Sequence, residues 1–309
     1  MKATKAVQKI LANYEGTSPG VKANLCRILM QGKLGGTGKM IILPVDQGFE
    51  HGPARSFAVN PAAYDPHYHF QLALDAGLSA YAAPLGMLEA GAETFAGQLP
   101  LILKANSANS LIPNEAPKDQ AITASVQDAL RIGAGFIGFT IYPGSSTALD
   151  MFEEIAEMRA EAESVGIGTV IWSYPRGEAL DKDGETAADI GSYAAQIAAL
   201  LGAHIIKVKL SSDHLSLKEA KKVYEDEKID LSSQAKRVED VMKSSFNGRR
   251  IVVFSGGAKK GSDSVYDDAR AIRDGGGNGS IIGRNTFQRP RAEALDMLSK
   301  LIDIYKGKA

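Results

Sequence analysis

A single cysteine, Cys26, stands among 309 residues. It cannot close a disulfide within the chain, so the sequence suits a reducing cytoplasm. Its neighbours Leu25, Ile28 and Leu29 put it on a buried helix face, with no basic partner nearby in sequence to activate the thiol. Long apolar runs are missing as well. None approaches the roughly 18 residues that span a bilayer, and residues 1–16 hold no hydrophobic signal segment. A membrane partner is therefore not expected. Charge of one sign is missing too: 35 Lys and Arg meet 36 Asp and Glu, for a net charge of −1. Without a basic stripe or tail, nucleic acid is not an expected partner. Metal-ligand clusters are absent from the pattern; His67 and His69 form a His-x-His pair with no cysteine or carboxylate cluster beside it. Two glycine-rich stretches imitate nucleotide loops and fail on topology. Gly38-Lys39 leads into a strand and is followed by Met40 rather than Ser or Thr, and Gly275–Gly279 likewise precedes a strand.

What is present is an alternation. Short apolar runs recur at Met40–Val45, Ser79–Pro84, Leu101–Ala105, Phe136–Tyr142, Thr169–Ser173, His204–Leu210, Ile251–Phe254 and Ser280–Ile282. Nearly continuous apolar runs of this length fit parallel strands covered on both faces. Amphipathic helical patterns separate several of them, at Ala124–Ile132, Ala148–Val165, Thr186–Leu201, Leu217–Tyr224 and Val265–Asp274. Eight strands with intervening helices predict an α/β fold, a (β/α)8 TIM barrel, filling one domain over 1–309. Residues 1–39 are expected as an N-terminal helical extension, lying across the barrel bottom or at a subunit contact. The active site of such a barrel sits at the C-terminal strand ends.

Those ends are polar. Strand one runs into Asp46-Gln47-Gly48-Phe49-Glu50-His51-Gly52-Pro53, with Asp46 on the face of Ile42 and Pro44. Asp46 and His51 are functional candidates; a loop capping the next helix is the plainer alternative. Strand three ends in Lys104 and Asn106, where the lysine could snorkel to the rim. At strand four Ser145 could touch phosphate or cap a helix. Along strand five, Trp172, Tyr174 and Arg176 share one face, as an aromatic pair and a cation at the mouth. Strand six carries Lys207 and Lys209 on one face. Desolvation and a second cation both lower a lysine pKa and leave a free amine, a carbonyl trap. Lys207 lies deeper and is expected as the nucleophile, with Lys209 orienting. Ser255-Gly256-Gly257 after strand seven and Gly283-Arg284 after strand eight fit the phosphate site that barrels often place there.

These pieces resemble the archaeal-type class I fructose-1,6-bisphosphate aldolases, a family that also occurs in bacteria. The matching strings are Asp46–Pro53, Tyr142-Pro143-Gly144-Ser145, Trp172-Ser173-Tyr174-Pro175-Arg176-Gly177, Lys207-Val208-Lys209, Ser255-Gly256-Gly257 and Gly283-Arg284-Asn285, in family order across about residues 40–290. The resemblance implies Lys207 as the Schiff-base lysine and Tyr174 as general acid/base. It implies Trp172 as shaping the site, Asp46 and His51 as binding or orienting substrate hydroxyls, and Arg176 with the two glycine loops as holding the two phosphates. It further implies a sugar-phosphate substrate, no cofactor, no metal, and a ring-based homo-oligomer, often a decamer. The segment before Lys39 looks longer than in archaeal members, and Ala258-Lys259-Lys260 follows the strand-seven glycines without an assigned role. Two neighbouring activities use the same lysine: a transaldol reaction in aromatic precursor synthesis, and thiolase-like cleavage of a phosphorylated sugar. A phosphosugar isomerase or epimerase would share the phosphate loops but need a carboxylate base, and a non-catalytic sugar-phosphate binder would yield no product.

Overall fold

The computed structural model describes residues 2–113, 115–255 and 261–309. Eight strands close a barrel: β1 Met40–Pro44, β2 Ala80–Pro84, β3 Leu101–Lys104, β4 Phe136–Ile141, β5 Gly168–Ser173, β6 Ile205–Lys209, β7 Ile251–Ser255 and β8 Gly279–Ile281. Each pairs in parallel with its neighbours in chain order, and β8 returns to β1. This is a (β/α)8 barrel. Closure leaves no edge strand, so alternate residues point either into the barrel or onto the surrounding helices.

The side chains sort accordingly. Met40, Ile42, Ala80, Ala82, Ile102, Phe136, Val170, Trp172, Ile205 and Val253 fill the interior. Their neighbours Ile41, Leu43, Tyr81, Leu103, Ile137, Ile171, Ile206 and Val252 pack outward with the helices. The helices Ala148–Ser164, Ala188–Leu200 and Ser262–Asp274 lie close to the sequence-derived ranges. The helices Pro66–Ala76, Gln234–Ser244 and Arg291–Tyr305 were not singled out in the sequence.

The N-terminal segment is the barrel's floor. Helices Lys5–Leu11 and Pro19–Met30 send Val7, Tyr14, Val21, Leu25, Ile28 and Leu29 against the interior strand residues. Cys26 is only partly buried beside that cluster. Tyr14 stitches floor to wall: its hydroxyl donates to the His204 carbonyl at 2.6 Å and accepts from the Ile251 N–H at 3.0 Å. Apolar packing therefore closes one end, and the polar residues of the interior gather at the other.

Candidate active site

Among the described residues, two strand lysines are fully buried, and both face this polar end. Lys207 on β6 is 2% exposed and Lys104 on β3 is 1% exposed. Lys104 does not snorkel to the rim. Its ammonium donates to the Asn106 carbonyl and, at 3.0 Å, to Asn106 Oδ1. That amide is locked in turn between the N–H and the carbonyl of Thr140 on β4, at 2.7 and 2.8 Å. Asn106 opens a two-stranded antiparallel ribbon, Asn106–Ser107 with Ala121–Ile122, beyond the C-terminal end of β3.

Lys207 is placed differently. No carboxylate stands within ion-pair distance of it among the described residues; its Nζ lies 3.7 Å from the centroid of the Tyr174 ring. Burial is the main cause holding its pKa well below the usual lysine range, and the Lys209 ammonium is the next. Lys209, one alternation outward, is half-buried and 5.5 Å from the same ring. Burial and then Arg176 lower its pKa, against the pull of Glu185. The predicted order, a dry inner amine and a wetter outer cation, is what the strand presents.

β5 supplies the aromatic wall. Trp172 pairs in register with Lys207, and its indole occupies space that only a glycine on β4 leaves free. A Cβ at Gly138 would lie 2.3 Å from the ring. Tyr174 follows two residues later. Burial, then the carboxylates of Glu50 and Asp46, hold its phenol well above 10, so it stays protonated. Arg176 lies over both Tyr174 and Tyr142, at 5.1 and 5.9 Å. Its loop is pinned where Gly177, at φ +145°, meets Gly144. A Cβ there would fall 1.9 Å from the Gly144 carbonyl.

β1 supplies acid groups. Asp46 lines the cavity and makes no side-chain cap bond to the short helix Gln47–His51 that it precedes, so the capping alternative fails. Glu50 was passed over in the sequence, yet it lines the same cavity. Its carboxyl is pushed up to about 7, first by burial and then by the Asp46 carboxylate, against the pull of Lys104, Arg176 and Lys207. His51 Nε2 lies 3.6 Å from the Glu50 carboxylate, and burial followed by Arg55 and Arg284 lowers the imidazole pKa. Gln47 was also missed; its Oε1 is buried with no hydrogen-bond partner among the described residues. Alternation alone could not find Glu50 or Gln47, because both sit on a helical turn.

The remaining predicted groups converge in part. Ser255, Gly283 and Arg284 line the cavity with Lys207 and Tyr174. Gly283 packs so closely on β1 that a Cβ would lie 2.7 Å from the Pro44 carbonyl. Gly256 and Gly257, with Ala258-Lys259-Lys260, lie outside the described residues. Ser145 contacts Thr147 Oγ1 at 3.2 Å and does not line the cavity. His67 and His69 are taken up structurally. His67 Nε2 lies 2.7 Å from the Ala90 carbonyl, and the buried His69 ring bonds the Ala63 carbonyl at 2.8 Å.

The arrangement is therefore a dry amine, a protonated phenol, two carboxyls and several cations at the open end of a parallel barrel. The model of the DeoC/LacD family aldolases matches residues 40–289, which spans every one of these groups. The chain belongs to the DeoC/LacD aldolase family. Among curated members, it is 36% identical over 273 residues to the class 1 fructose-bisphosphate aldolase of Thermoproteus tenax, covering 88% of this chain and 91% of that one. It is 35% identical over 294 residues to a probable class 1 fructose-bisphosphate aldolase of Chlamydia trachomatis, covering 92% and 84%. Among solved members, an archaeal fructose 1,6-bisphosphate aldolase superposes with a TM-score of 0.76 at 33% identity, over 92% of this chain and 99% of the other. Another archaeal aldolase structure, with its catalytic lysine covalently bound to the carbinolamine intermediate of the substrate, superposes with a TM-score of 0.75 at 32% identity, over 91% and 98%.

Proposed function

We propose that this aldolase is a class I fructose-bisphosphate aldolase, reversibly cleaving fructose 1,6-bisphosphate to dihydroxyacetone phosphate and glyceraldehyde 3-phosphate through a Schiff base on Lys207. The observation that carries the reading is the Lys207 amine, buried and set against the Tyr174 ring. Burial favours the neutral amine, which is the form that attacks a ketone.

The residues divide the work as follows. Lys207 Nζ adds to the C2 carbonyl, and the carbinolamine loses water to give an iminium ion. A base takes the C4 hydroxyl proton, the C3–C4 bond breaks, and its electron pair flows into the iminium to form an enamine. Glyceraldehyde 3-phosphate departs. Tyr174 protonates the enamine carbon, and water hydrolyses the iminium to release dihydroxyacetone phosphate and the free amine. Asp46 and His51 orient the sugar hydroxyls, and Trp172 fixes the ring side of the pocket. Arg176 and Lys209 take one phosphate. Ser255, Gly256, Gly257, Gly283 and Arg284 take the other. The protein is read as a cytoplasmic homo-oligomer, a decamer among the candidate assemblies, in sugar-phosphate breakdown and synthesis.

The test is to incubate the protein with fructose 1,6-bisphosphate, reduce with borohydride and map the adduct by mass spectrometry. A stable adduct at Lys207, lost in Lys207→Met, is expected. A modified lysine elsewhere, or product formation by Lys207→Met at the wild-type rate, would overturn the assignment.

A further inference from the structure

Among the described residues, the Glu185 carboxylate lies between two of the cations of the mouth. Glu185 Oε2 stands 3.8 Å from Arg176 Nε and 3.9 Å from Lys209 Nζ. It belongs to the turn Gly184–Thr186, in the same segment after β5 that carries Arg176, while Lys209 comes from the end of β6. The turn is braced on two sides. Asp181 accepts from the Gly184 N–H through its carboxylate at 2.7 Å and from the Glu185 N–H through its carbonyl at 2.9 Å. The Thr186 carbonyl accepts from the N–H and the hydroxyl of Ser212, in the loop after β6, at 2.7 and 3.0 Å. Glu185 is therefore held against the loops after β5 and β6. It also lines the wider basin of about 660 Å³ that opens outward from Glu50, His51 and Arg176.

The position is unfavourable for an arriving phosphate. An anion that bonds Arg176 and Lys209 comes within several ångströms of the Glu185 carboxylate. The two cations do not need that carboxylate to stay in place, since both pack on the Tyr174 ring, at 5.1 and 5.5 Å. Removing Glu185 thus relieves repulsion and leaves most of the orientation intact.

We propose that Glu185 is a positioning and specificity residue: the counter-ion that Arg176 and Lys209 hold in the free enzyme, which competes with substrate phosphate and keeps phosphate binding at the mouth weak enough for release. The inference rests on the aldolase reading for the identity of the anion's carrier, and on the pair distances for the competition itself. It makes the outer cation pair a reversible latch, closed on Glu185 when the site is empty and on phosphate when it is filled.

Calorimetric titration of inorganic phosphate into the wild type and Glu185→Gln tests this without any turnover. A dianion about 6 Å from a carboxylate in a water-like medium corresponds to about fivefold to tenfold in affinity once some ordering is lost. The variant should bind phosphate tighter by that factor, and the difference should shrink at high ionic strength, which a purely structural role would not produce. Glu185→Asp, one methylene shorter, should give a smaller gain in the same direction and serves if the Gln variant misfolds. Equal or weaker phosphate binding in the variants, or a wild type that binds none, overturns the proposal. A wild type that binds phosphate yet forms no borohydride-stable adduct with fructose 1,6-bisphosphate sinks the aldolase reading and leaves the latch standing.

Discussion

At the scale of single residues, the site separates two groups that water would leave charged or exchanging freely. Burial keeps Lys207 a base and Tyr174 an acid, with their pKa values driven in opposite directions. Tyr174→Phe removes the proton but keeps the ring that covers the amine. Imine formation should persist, and turnover should fall about 100-fold or more; steady-state assays beside borohydride trapping will tell the two steps apart, and unchanged turnover would remove Tyr174 from proton transfer. The second lever on Lys207, after burial, is the Lys209 charge. In Lys209→Met that repulsion is gone, so the Lys207 pKa rises and more of it is protonated at a given pH. The acid limb of adduct formation, which climbs as Lys207 loses its proton, should move to higher pH. A limb that stays put or moves down, read from the pH dependence of trapping rates, would show that Lys209 does not tune the amine. Lys207 was legible as a free amine, and Lys209 as its orienting cation, because a charge on a nearly all-apolar strand has to be explained. Glu50 was not, because its carboxyl owes its behaviour first to burial that only the folded turn creates and then to Asp46.

At the scale of elements, strand alternation was readable almost everywhere, since each barrel strand has to satisfy an inner and an outer layer at once. Met40 and Ile42 pointing in, with Ile41 and Leu43 pointing out, is that rule made visible. Less legible were relations between strands. Gly138 on β4 looks like an ordinary small residue until Trp172 of β5 is found lying over it. Gly138→Ala would force the indole away from Lys207. We expect a stability loss of about 1–3 kcal/mol and activity lower by about tenfold or more. Denaturant melts and kcat/KM on one preparation will measure both, and a variant with wild-type values in each would show that the indole has room to move. The ribbon of Asn106–Ser107 and Ala121–Ile122 also escaped notice, because two-residue strands carry no period to detect. Lys104 escaped correct placement for a related reason: only the amide of Asn106 makes its burial tolerable.

At the scale of the whole molecule, the apolar floor and the polar mouth set different limits. Two buried histidines lie away from the site. His69 and His204 are both lowered to about 4, in each case mainly by burial. Neutral in the folded state, they gain protons more readily once unfolded, near the usual value of about 6.5. Their cost is absent above that pH and grows as pH falls from about 6.5 toward 4, so thermal stability should decline across that window. His204 Nδ1 accepts the Thr169 N–H at 3.0 Å; His204→Asn keeps an acceptor there without a titrating ring, and its melting temperature should fall less steeply with acid. An identical slope would place the sensitivity elsewhere. The floor has one more effect. With Val7, Tyr14 and Leu25 wedged beneath the strands, this barrel is a cul-de-sac. Anything released at the polar mouth must back out along the path by which it entered. In the proposed reaction the aldehyde leaves first because the other half is still bonded to the lysine, and both fragments share that single door.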